Sequence, residues 1–266
     1  YSFSKQGNLN WKTYLGDASK GIHSTAAVDD DFVYIGSYKG TVYKLDKQNG
    51  IIVWMRTIGD TVGASPLIDR DTITFSVETN SLNGYLVRLN KKNGDIIWMS
   101  PPLGEQAHSS PALDVPSGTL VLGVNNSTIQ GFSYSSGRRL WSIGVNGPVK
   151  STPVVDGGIG YVTTWGKELI AFNMDKGIIL WKQNLSTKSQ VSPVLLKRSK
   201  LVFTADNSGM MYAFDQISGK LKWTIAKKMS RNLSSPIVVS DGNEEKILFV
   251  CENRTLCLIT RFGKIE

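Results

Sequence analysis

Two histidines, His23 and His108, are the only imidazoles in the chain. Imidazole is the side chain whose ordinary pKa places its charge change near neutral pH, so its placement bears on any acid–base or anion chemistry. Both stand three residues before a recurring step, His23 before Ala26 in STAAVD and His108 before Pro111 in SSPALD. The same position holds Gly63, Lys150, Gln190 and Leu233 before the other copies of that step. A mouth lined by imidazole, ammonium and amide groups could bind an anion, and would gain charge on mild acidification. A second set, Tyr38, Asn125, Trp165, Asp206 and Glu252, falls on another recurring turn. Trp165 there offers an aromatic surface for packing or stacking. Lys227, Lys228 and Arg231, in the local cluster KKMSR, would add positive charge.

Other chemistry is not written in the residues. No nucleophile elbow, zinc-protease signature or phosphate loop is present, and no acidic run has calcium-loop spacing. Cys251 and Cys257 flank a short turn, CENRTLC; alone they make no metal site, and they read as buried small hydrophobes or as a cross-strand disulfide in an oxidising compartment. Asn-x-Ser/Thr sequons at Asn125, Asn126, Asn184, Asn232 and Asn253 matter only in a glycosylating pathway. No metal and no cofactor is expected.

Composition sets the frame. The chain has 266 residues, 41% hydrophobic and 20% charged, and suits a soluble globular protein with a substantial core. No apolar run is long enough to span a membrane as a helix. The first residue is Tyr, which fits a processed chain or a piece of a longer one. A net charge of +8 raises nucleic-acid binding, yet the basic residues are scattered among acids, so solubility explains them and no specific nucleic-acid signal stands out.

The elements that position these residues repeat. Trp11, Trp54, Trp98, Trp141, Trp181 and Trp223 recur at spacings of 43, 44, 43, 40 and 42. Gly50, Gly94, Gly137, Gly177 and Gly219 each precede the Trp of their unit by four residues. Beside them runs a Ser/Thr-Pro series at Pro66, Pro111, Pro153, Pro193 and Pro236, with Val191–Ser192 preceding the fourth. A period near 42 marks a repeat architecture. Within a unit, SPLID, FVYIGS, GTVYKLD and IIVWMRTI alternate apolar and polar residues between Gly and Asp turns, the pattern of four short antiparallel strands. Four such strands per repeat predict a blade of a β-propeller. The turn glycines are expected at positive φ. The tryptophans are expected in the seams between blades, each indole N–H needing an acceptor.

The expected architecture is therefore all-β, a six-bladed β-propeller of four-stranded antiparallel blades in one domain over residues 1–266. Its blades are 17–59, 60–104, 105–146, 147–187, 188–228 and 229–266. The last unit lacks its Trp, and residues 8–15, NLNWKTYL, form an orphan outer strand. Pairing residues 8–15 with the strand around Leu256 to Thr260 would complete the sixth blade and remove the free edges. A longer parent chain with more blades is left open.

The unit GTVYKLDKQNGIIVW resembles the repeat of the pyrroloquinoline-quinone-type, or quinoprotein-like, propellers, in which Gly, an apolar strand, Asp, Gly and Trp recur in this order. That resemblance covers nearly the whole chain. It embraces quinoprotein alcohol dehydrogenases, the propeller lipoprotein of the outer-membrane barrel-assembly machinery, and sensor propellers fused to kinases. The dehydrogenases resemble one another in adjacent cysteines over the cofactor, a calcium site of Glu, Asn and Asp, and an Asp base; this chain has no adjacent cysteines. The function expected is thus a non-catalytic interaction or scaffold propeller of the cell envelope, periplasmic or extracellular, with the cytoplasm left open. The alternatives are a ligand-sensing propeller holding a small anion or sugar at the channel mouth, and then a quinone-dependent dehydrogenase. The partner expected is another protein, or an anionic ligand, bound by a monomer.

Overall fold

The computed structural model describes residues 1–16, 21–226, 235–240, 242, 244–250 and 255–266. Every regular element among them is a strand. After β1 (Ser2–Phe3) and β2 (Leu9–Trp11) come β3 (Ala27–Val28), β4 (Phe32–Gly36), β5 (Thr41–Asp46) and β6 (Ile52–Thr57), then β7 (Leu67–Asp69), β8 (Thr72–Glu78), β9 (Gly84–Asn90) and β10 (Ile96–Met99). The chain continues through β11 (Ala112–Asp114), β12 (Thr119–Val124), β13 (Thr128–Ser133), β14 (Arg139–Gly144), β15 (Val154–Asp156), β16 (Ile159–Thr163), β17 (Glu168–Asn173) and β18 (Ile178–Asn184). It ends with β19 (Val194–Leu196), β20 (Leu201–Ala205), β21 (Met210–Asp215), β22 (Leu221–Ala226), β23 (Ile237–Ser240), β24 (Glu245–Val250) and β25 (Leu256–Thr260). No helix among the described residues is long and apolar enough to cross a membrane.

Each run of four consecutive strands from β3 to β22 forms one antiparallel sheet in sequence order, and β23–β25 forms a three-stranded one. Up-and-down order follows from the short Gly and Asp turns, which leave no length for crossovers. The central strands are buried on both faces, as in β12 and β20, while the outermost strands alternate, as in β6 and β22. The chain divides into two compact units, Tyr1–Pro111 with Ser133–Arg139, and Ala112–Phe132 with Leu140–Glu266. In the first unit Tyr34, Val42, Phe75, Val77 and Val87 share a core. In the second, Val162, Ile170 and Phe172 pack with Val121 and Val149, and Phe203, Met211, Phe249 and Ile259 form another cluster.

The tryptophans stitch sheet to sheet, as their seam role requires. The indole N–H of Trp11 donates to the Lys47 carbonyl at 2.9 Å, Trp54 to Lys91 at 3.1 Å, and Trp98 to Tyr134 at 3.1 Å. In the second unit Trp141 donates to Met174 at 3.0 Å, Trp181 to Gln216 at 3.0 Å, and Trp223 to Arg261 at 2.7 Å. Every acceptor lies in the turn before the outermost strand of the next repeat, beside the turn glycine. Those five glycines have φ between 62 and 75°. A second stitch was not anticipated from the sequence. The Thr25 amide donates to the Ser65 hydroxyl and the Ser65 amide to that of Ser110, both at 2.9 Å. Likewise Thr152 donates to Ser192 and Ser192 to Ser235. The hydroxyls of Ser65, Ser110, Ser192 and Ser235 thus each tie a sheet to the preceding one.

At the N-terminus Leu9–Trp11 pairs with Ser2–Phe3, through a turn in which Ser4 accepts from the Gly7 and Asn8 amides. Closing so short a loop takes little chain entropy. At the other end, Ile265 bridges Ile259 and the Glu266 amide donates to the Leu258 carbonyl at 2.8 Å. The chain's own C-terminal residues begin the fourth-strand position beside β25.

Candidate binding face

Strand pairing defines the register of the second set of candidates. The residue after each Ser/Thr-Pro step, or after Ala26, pairs with Tyr34, Thr74, Val121, Tyr161 or Phe203. Four residues beyond these partners stand Tyr38, Glu78, Asn125, Trp165 and Asn207. Tyr38, Asn125 and Trp165 are therefore equivalent, as expected. Asn207 takes the place assigned to Asp206, and Glu78 was missed because the turn after β8 differs in length from its counterparts.

In the first unit the His23 ring packs on Tyr38, centroids 4.3 Å apart. Gly63, at the His23 register of the next sheet, makes room for that tyrosine: a Cβ there would meet the ring at 3.2 Å. Burial raises the pKa of the Tyr38 hydroxyl, and the charge of Glu78 raises it further. Glu78 is 8% exposed, and its carboxylate lies 3.2 Å from Nδ1 of His108. His23, Tyr38, Glu78 and His108 so form one succession of neighbours, with a buried carboxylate between the rings.

In the second unit the indole of Trp165 carries two ammonium groups, Lys150 Nζ at 4.1 Å and Lys188 Nζ at 4.4 Å from the ring centroid. The Trp165 amide is fixed by the Pro148 carbonyl at 2.9 Å. Gln190, at the Lys150 register, is half-buried. Asp206 is not available: buried, it accepts from the Thr187, Ser208 and Met210 amides and from the Tyr212 hydroxyl. Lys188 had no signal in the register argument, since it stands two residues before Gln190. Arg231, Lys227, Lys228, Leu233 and Glu252 lie outside the described residues. Cys257 is disulfide-bonded, and the chain's other cysteine, Cys251, lies outside the described residues.

No group of three or more His, Cys, Asp or Glu among the described residues is placed to hold a metal ion. The chain also has no adjacent cysteines. What the two clusters offer is recognition: aromatic faces, ammonium groups and half-buried amides.

Comparison with known proteins gives these features a family. Residues 1–148 and 83–264 both match the family described as outer membrane protein assembly factor BamB. The chain is 22% identical over 251 residues to that factor of Yersinia pestis, covering 87% of this chain and 62% of the relative. It is 25% identical over 227 residues to that of Escherichia coli K12, covering 81% and 56%. The chain thus spans about three-fifths of the length of these relatives. Among solved structures, BamB from Moraxella catarrhalis superposes with a TM-score of 0.73 at 20% identity, over 92% of this chain and 76% of that one. A quinohemoprotein alcohol dehydrogenase from Comamonas testosteroni superposes with 0.76 at 12% identity, over 98% and 62%. Those likenesses show the fold, all-β and of the propeller class, and the repeat is that of the quinoprotein-like group. On the strength of the match along its whole length, the chain belongs to the family of the outer membrane protein assembly factor BamB.

Proposed function

We propose that this chain is a non-catalytic, protein-binding scaffold that serves the assembly of outer membrane proteins, the role its relatives' name states. The observation that carries this reading is the family match, which runs through both halves of the chain. On this reading the protein works in the periplasm, as a monomer, and its partner is another protein of the cell envelope. Its sheets are successive blades of one propeller domain. Each of the six expected blade segments contains one sheet, which supports that reading.

Deleting the gene in the source organism tests the function directly. Folded outer membrane proteins should fall several-fold in the membrane fraction, and return when the chain is supplied again within its parent protein. Unchanged levels would overturn the proposal. Recovery of the protein in the cytoplasmic fraction would overturn the location.

A further inference from the structure

Five buried side-chain polar atoms among the described residues have no hydrogen-bond partner, and three of them share one register. These are Asn125 Oδ1, Trp165 Nε1 and Asn207 Oδ1, from three consecutive sheets of the second unit. Buried polar groups are paired in folded proteins, so each exception asks for a cause. A cause common to one register is a ligand that meets all three sheets at the same height. The charges beside them point the same way. Lys150 and Lys188 both lie over the Trp165 ring, and neither has a carboxylate partner among the described residues. Two ammonium groups on one ring lie within the Debye length of about 10 Å at 0.1 M salt and repel each other. An anion placed between them turns that repulsion into attraction.

We propose that this face of the second unit is a carboxylate site for an acidic segment of a partner polypeptide. Lys150 and Lys188 pair with the carboxylate, and Trp165 packs against the carbon chain that carries it. Asn125, Asn207 and Gln190 supply amide groups to the backbone of the segment. The cations are two lysine point charges, which pair with an anion without the bidentate geometry of a guanidinium. The side-chain amides are complementary to a peptide's N–H and C=O groups. That the carboxylate comes from a protein rests on the scaffold reading; the chemistry of the site does not.

The test titrates the full chain with a capped ten-residue peptide of alternating Glu and Ser, with glutarate, and with inorganic phosphate, followed by calorimetry. The peptide is expected to bind one-to-one, more tightly than glutarate, and more weakly as salt rises. Lys150→Met and Lys188→Met should each lower its affinity at least tenfold. Lys220→Met, which removes the same charge from a hairpin turn of the same unit, should leave it unchanged. No peptide binding, an equal loss in Lys220→Met, or phosphate binding as tight as the peptide would each overturn the site. Glutarate as tight as the peptide would overturn the polypeptide source. Peptide binding that persists where gene deletion leaves outer membrane proteins unchanged would sink the scaffold reading and keep the site. The doubly substituted chain supporting full assembly would do the reverse.

Discussion

A turn glycine and the tryptophan it faces act as one joint. Gly219 sits at φ 68°, and a Cβ there would lie 2.6 Å from Cδ2 of Trp181. Gly219→Ala meets two penalties, left-handed backbone at about 1–2 kcal/mol and overpacking at about 1–3 kcal/mol. Gly157, at φ 56° and in open space where an added Cβ would find nothing within 4 Å, meets only the first. Urea unfolding should therefore find Gly219→Ala the more destabilising, by about 1–3 kcal/mol; equal losses would mean the seam can yield. Asp215 illustrates the other half of the turn. Its carboxylate accepts from the Ser218 and Ile217 amides and the Ser218 hydroxyl, with Lys222 at 3.4 Å. Led by the Ser218 amide bond, these hold its pKa at about 2, against an ordinary 3.8. A depressed carboxylate pKa contributes stability above the unfolded value, and that contribution fades as pH falls from about 4 to about 2. With a partly exposed side chain the effect is about 1–2 kcal/mol. Asp215→Ala should lose that much at pH 7 and progressively less in acid. A loss independent of pH would assign the residue's worth to conformation alone.

At the scale of elements, the sequence reading succeeded where one residue type had one physical task. Trp four residues after Gly predicted both a seam filler and a positive-φ turn, because no other side chain does the first and few residues tolerate the second. The strands followed from apolar alternation between such turns. The hairpin of Ser2–Phe3 with Leu9–Trp11 was not read, because the local Ser4–Asn8 turn was overlooked. The site was half legible: shared spacing from Pro marked His23, His108, Lys150 and Gln190, but nothing in the spacing revealed Glu78 under His108 or Lys188 over Trp165. The N-terminal residues also hold the sheet β3–β6. Trp11 donates to Lys47, the Thr13 hydroxyl to the Gly50 carbonyl at 2.5 Å, and the Tyr43 hydroxyl to the Leu15 carbonyl at 2.8 Å. Removing residues 1–15 should destabilise the sheet β3–β6 by about 2–4 kcal/mol, on the scale of a lost large side chain. Hydrogen exchange should quicken first in β5 and β6. Faster exchange confined to β25 would instead place these residues beside that strand.

Across the whole molecule, stability is assembled from neighbour contacts, one sheet upon the next. Each of the six seam indoles reaches the following repeat, and Ser65, Ser110, Ser192 and Ser235 accept from the repeat before them. Chains built this way unfold in cooperative units that follow the repeats, since a sheet gains little from sheets it does not touch. Trp181 is a fair place to cut. It lies 5.9 Å from Tyr161 and 6.4 Å from Phe214, ring to ring, and its N–H holds the Gln216 carbonyl. Trp181→Ala removes the shared filler between β15–β18 and β19–β22, at a loss of about 3–5 kcal/mol if the space does not collapse. Native-state hydrogen exchange should then show protection falling in those two sheets, with the sheet β3–β6 of the first unit keeping its own. The Gln216 and Tyr161 environments should change together, because the Tyr161 hydroxyl, its pKa raised to about 12 by burial, donates to the same Gln216 carbonyl. An equal fall of protection in every sheet would show that the molecule opens only as a whole, and that the stitches at its seams transmit the loss instead of containing it.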